Sequence, residues 1–135
     1  MKCNSEFIKL VAEAIKTEKL PNFDQVYKYD QGTWMFVDPD DSNIESLPTS
    51  FLPIALCTID NFNCTTSCCT AGTAVLVNYL LTGEKRSCLI ENEAIRLFDA
   101  PEHVCIIIFH ADFEPYYEYG SPNEFMCEYL HHLIN

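Results

Sequence analysis

Basic residues are scarce in this sequence: eight Lys and Arg stand against twenty Asp and Glu, a formal net charge of −12. A field of that sign repels DNA, RNA and anionic lipid, and it accelerates encounter with a positively charged surface. Direct nucleic-acid binding and membrane binding are therefore excluded as roles for this chain. Long apolar runs are also missing. The longest, Val104 to Phe109, is far too short to cross a bilayer. The stretch after Lys2-Cys3-Asn4-Ser5-Glu6 is broken by Lys9, Glu13 and Lys16, so no secretory h-region is read there. No internal repeat, low-complexity tract or linker occurs, and the 135 residues are read as one acidic domain with one core. A cytoplasmic location is expected, and with it reduced thiols, since the eight cysteines show no paired Cys-x-x-Cys spacing. The Asn63-Cys64-Thr65 sequon then has no consequence.

The charge is unevenly placed. Residues 1–19 carry four Lys and three Glu, whereas residues 20–62 carry seven acids and only Lys28. Residues 87–135 carry nine acids and only Arg96. A merely solubilising surface intersperses its signs. Here two acidic segments can fold into one negative face.

Phe7, Ile8, Val11, Ala14 and Ile15 recur at helical spacing, Ser5 can cap their start and Pro21 can stop them, which predicts a first helix. Ser121-Pro122-Asn123-Glu124 supplies a cap, a first-turn proline and a capping-box Glu for a terminal helix over Phe125, Met126, Tyr129, Leu130, Leu133 and Ile134. Between them, Gln25–Tyr29 and Trp34–Val37 read as a β-hairpin, and Ile54–Ile59 as a buried strand after Pro48 and Pro53. Residues 60–72 read as a loop, and Thr73–Leu81 fits strand or helix. Ser87–Glu91 with Ala94–Phe98 reads as a second hairpin, and Val104–Phe109 as a central strand. The expected fold class is α+β, a mostly antiparallel sheet with N-terminal and C-terminal helices packed on it.

Four constellations could carry chemistry. Asp112-Phe113-Glu114-Pro115-Tyr116-Tyr117-Glu118-Tyr119 mixes three carboxylates with three tyrosines and no cation. Tyr offers rigid anchors with polar tips, and the carboxylates can pair with Lys or Arg on a partner. Asp38, Asp40 and Asp41 open like a calcium loop, but Asn43 and Thr49 replace the Gly and Glu that such a loop needs, leaving an acidic turn that can extend the same face. Cys64, Cys68 and Cys69 lack both paired spacing and a nearby His, so zinc is not expected, nor any cofactor. Finally, if Thr70–Leu81 is a helix, Cys69 or Cys68 near its start gains thiolate character from the dipole, His103 opens the expected strand, and Asp112 follows it. His131 and His132 suit the last turn of the terminal helix against its dipole.

The last constellation resembles papain and transglutaminase-type cysteine hydrolases in the order Cys, His, acid, which implies an alternative enzymatic reading. The acidity, size and Tyr–acid interleaving are similar to bacterial immunity proteins that neutralise nuclease toxins, including those of contact-dependent inhibition systems. Lys85 to Phe98, followed by the Glu124–Ile134 helix, is similar to the closing layout of some of them. Tyr116-Tyr117 near Asp112 is similar to the tyrosine pair of DNase-colicin immunity proteins, which are helical bundles with closer spacing, so that likeness is not one of fold. The resemblance implies a non-enzymatic inhibitor of a basic partner, such as a toxin C-terminal nuclease domain. A phage-type DNA mimic shares the same features.

Overall fold

A computed structural model describes residues 2–20, 26–31, 35–36, 67–84, 89–112 and 114–135. The expected strand Ile54–Ile59 and the Asp38–Asn43 turn lie outside them. The elements are α1 (Ser5–Thr17), β1 (Lys28–Tyr29), β2 (Met35–Phe36), β3 (Ser67–Cys68), α2 (Thr70–Thr82), α3 (Ile90–Phe98), α4 (Glu102–Phe109), a 3₁₀ helix (Glu114–Tyr119) and α5 (Pro122–Ile134). The described chain is mainly helical, which overturns the α+β expectation of a mostly antiparallel sheet. The sheet is three two-residue strands in the order β1-β3-β2, with β1 parallel and β2 antiparallel to β3. The first expected hairpin is thereby corrected. Its two strands exist, but β3 lies between them, pairing Tyr29 and Met35 with Cys68.

α1 forms as its spacing predicts, with Phe7, Ile8, Val11, Ala12, Ala14 and Ile15 buried. Asn4, not Ser5, is its cap, accepting from the Phe7 N–H at 3.3 Å. It ends before Pro21, at Glu18, which adopts the left-handed conformation usually left to glycine (φ 55°) and donates its N–H to Ala14 at 2.8 Å. Two bonds to β1 and the residue before it hold Glu18 there: its carboxylate accepts from Tyr29 N–H at 2.8 Å and its carbonyl from Tyr27 N–H at 3.1 Å. α5 also forms as expected, capped by Ser121 through Glu124 N–H at 3.2 Å and begun by Pro122. It packs along α1 through Met126, Cys127 and Leu130, and Asn123 donates to the Ile15 carbonyl at 2.8 Å.

The ambiguous segment is helical. α2 is the central helix: every residue from Thr70 to Val77 is buried, against α1 on one side and α3 on the other. Its β-branched Thr73 is satisfied within the helix, donating to the Cys69 carbonyl one turn back at 2.8 Å. Gly83 ends it at φ 73°.

The second expected hairpin and the central strand are both corrected to helices. In α3, Ile90, Ala94, Leu97 and Phe98 fall at i, i+4, i+7 and i+8, a helical face. In α4 a continuous apolar run carries no period that separates strand from helix. The chain turns helical after Pro101, whose carbonyl accepts from Val104 and Cys105 N–H at 3.0 and 3.1 Å. Phe98 then joins the layers edge-on, with ring centroids 6.3 Å from Phe7 of α1 and 5.3 Å from Phe109 of α4.

Candidate partner-binding surface

Between α4 and α5 the chain runs over the surface. Asp112 and Glu118 are exposed, and Tyr119 stands 75% exposed. Tyr119 is therefore not a core residue. Glu114, Tyr116 and Tyr117 share the same 3₁₀ helix by backbone, while their side chains, like Asp38, Asp40 and Asp41, lie outside the description. Gly120 seats this segment on α5, because a Cβ there would meet Phe125 Cζ at 3.2 Å and Glu124 Oε2 at 3.1 Å.

The neighbouring helices continue the negative character. Arg96, the sole cation of residues 87–135, is taken up by Glu93 and by Glu84, the latter at 2.6 Å. Its hydrogen bond to the buried Glu93 carboxylate, outweighing partial desolvation, raises the guanidinium pKa further. Asp99, Glu102, Asp112 and Glu118, all within residues 87–135, are exposed. On α1, by contrast, the outward residues Glu6, Lys9, Glu13 and Lys16 alternate in sign, with Lys9 Nζ 3.7 Å from Glu6 Oε1.

Two exposed features escaped the sequence reading. Ile106 and Ile107 of α4 are 37% and 57% exposed. His110, which caps α4, places Nε2 2.9 Å from Glu91 Oε2 of α3. The available signal was Pro101-Glu102, a helix start that makes the following apolar run too round to bury on every side.

Cys69 caps α2, and its Sγ accepts from Gly72 N–H at 3.5 Å. Yet it is only 2% exposed, and burial outweighs the helix N–H groups, pushing the thiol up to about 12. Cys68 is wholly buried and likewise raised, chiefly by burial. A polar network closes over them. Tyr29 donates to Gln31 Oε1 at 2.7 Å, Gln31 Nε2 donates to the Ile108 and Phe109 carbonyls at 3.1 Å, and Thr70 hydroxyl reaches Gln31 at 3.1 Å. The Thr73 hydroxyl also lies 3.1 Å from the Tyr27 hydroxyl, and burial raises the Tyr27 pKa well above its ordinary value. His103 sits on the first turn of a helix, not on a strand, and is exposed, as is Asp112.

Among the described residues, no group of three or more His, Cys, Asp or Glu is placed to hold a metal ion. No helix among them is long and apolar enough to cross a membrane. Comparison with protein-family models, curated proteins and solved structures found no match for this chain.

Proposed function

We propose that this chain is a cytoplasmic inhibitory binding protein of the immunity type, occluding a basic, nuclease-type toxin domain. One observation carries the reading: Tyr119, 75% exposed, stands beside exposed Glu118 in a C-terminal stretch, residues 87–135, whose only Lys or Arg, Arg96, is already held by Glu84 and Glu93. A solvent-facing Tyr next to carboxylates gives a partner both an anchor and charge steering. The cysteine-hydrolase alternative needs an accessible thiolate, and burial of Cys68 and Cys69 works against one.

The test is co-production with a toxin domain encoded immediately upstream of this chain, which the reading requires. Growth should recover, and the purified pair should form a complex that suppresses the toxin's nuclease activity. Tyr119→Ala should weaken that complex by ~10-fold or more while the melting curve stays put. Undiminished killing, with no complex at micromolar concentration, sinks the proposal.

A further inference from the structure

Singly exposed apolar residues are ordinary on protein surfaces, but α4 presents something more organised. Its eight residues include only one carboxylate, Glu102, and no Lys or Arg. Spacings of three and four place His103, Ile106, Ile107 and His110 on one helical stripe, and all four are exposed. Carboxylates stand at both ends: Glu102 on the first turn, Glu91 against His110 at 2.9 Å, and Asp112 two residues further on. We infer that this stripe, centred on Ile106 and Ile107, is the docking site for a basic amphipathic helix of the partner. The inference rests on the binding reading above and names the partner element.

Charge complementarity selects that occupant. A second copy of this chain would bring another −12 against the same carboxylates, and like charges disfavour such a face-to-face pair. Added strands are disfavoured for a different reason. The described elements here, α3 and α4, are helical, so among the described residues they offer no strand edge for a peptide to extend. A helix laid against α4 can place apolar residues one turn apart over Ile106 and Ile107. Its Lys and Arg residues then reach Glu102 at one end and Glu91 and Asp112 at the other.

The probe is a synthetic peptide of about 18 residues, long enough to be helical, with Leu along one face and Lys on the rest. A scrambled peptide of identical composition and a Glu-for-Lys version serve as controls. Amide shifts in the intact chain should concentrate on residues 102–110 and Glu91, and Ile107→Ser should weaken binding by ~10-fold or more without lowering the melting temperature. Equal binding of the scrambled peptide, or shifts confined to other elements, overturns the assignment. So does a dimer of the free chain, seen by sedimentation, that Ile107→Ser dissolves, because the stripe then belongs to a second copy. Neutralisation separates the two readings. If wild type protects cells and Ile107→Ser protects equally well, the docking stripe fails alone. If wild type does not protect, the parent reading fails, and the peptide footprint still decides whether the stripe binds a basic helix.

Discussion

α1 and α4 solve the same packing problem with opposite outer faces. α1 sends its large apolar side chains inward and shows water a neutral alternation of Lys and Glu. α4 buries Cys105, Ile108 and Phe109 but leaves Ile106 and Ile107 outside, with acids at its ends. Both helices touch Phe98 through an aromatic ring, so both belong to one core. Anchoring in the core therefore does not explain the outward isoleucines. A face that only needed to stay soluble would look like that of α1.

The sharpest way to break this contrast lies within α4 itself. Ile108→Ala should cost ~3 kcal/mol of stability, since Ile108 is wholly buried, and Ile107→Ala next to it should stay within ~0.5 kcal/mol. Urea unfolding of both variants measures the difference. Comparable losses would mean that Ile107 is part of the core and not part of a docking face.

The next effect separates the inner faces by pH. α1 buries no ionisable side chain, whereas Cys69 at the start of α2 and Cys105 inside α4 are raised by burial to about 12 and about 11. In the unfolded chain these thiols ionise near their ordinary value, ~8.5. Between that value and the folded one, the unfolded state holds fewer protons, so stability falls as pH rises. Their contribution is complete below about pH 8.5 and shrinks up to pH 11–12, by up to ~1.4 kcal/mol per pH unit for each thiol. Unfolding at pH 7.5 and 10.5 should show the loss, and Cys69→Ala should flatten the profile. A flat profile for the wild type would place these thiols in water.

How far this could be read from the sequence depended on whether a local signal matched a local cause. α1 and α5 were legible because their apolar spacing and caps lie within the helix itself, even though Asn4 and not Ser5 makes the first cap. α3 was missed when the chain was divided at Asn92, which hid the helical spacing from Ile90 to Phe98. α4 was misread because Val104–Phe109 has no period, and the strand reading buried Ile106 and Ile107 on paper. β3 was invisible, since Ser67-Cys68 has no strand signature and owes its state to β1 and β2 on either side. Asp112, Glu118 and Tyr119 were legible as surface residues. The helix start after Cys69 stood only as one of two readings, and the bonds that Tyr27, Tyr29 and Gln31 make to Thr70 and Thr73 come from a distant segment.

Smaller effects refine the electrostatic side of the contrast. Arg96→Ala leaves the buried Glu93 carboxylate without its guanidinium and should cost ~1–2 kcal/mol, discounted because Arg96 is itself half exposed. Lys9→Ala on α1 should change stability by no more than ~0.5 kcal/mol, because its ion pair with Glu6 lies in water. Thermal melts at low and high salt distinguish them: the Arg96 effect should persist in high salt, and any Lys9 effect should vanish. A Lys9 effect as large as that of Arg96 would mean that the α1 stripe is structural and not simply solvated.

The most direct measurement is the association rate between this chain and the basic toxin domain proposed as its partner, across a range of ionic strength. The rate should fall steeply with added salt. Glu102→Gln and Glu118→Gln should each flatten that dependence, Ile107→Ser and Tyr119→Ala should mainly speed dissociation, and Lys9→Ala should alter neither rate. An association rate indifferent to salt, or one as sensitive to Lys9 as to Glu102 and Glu118, would contradict an acidic docking surface that includes Glu102 and Glu118.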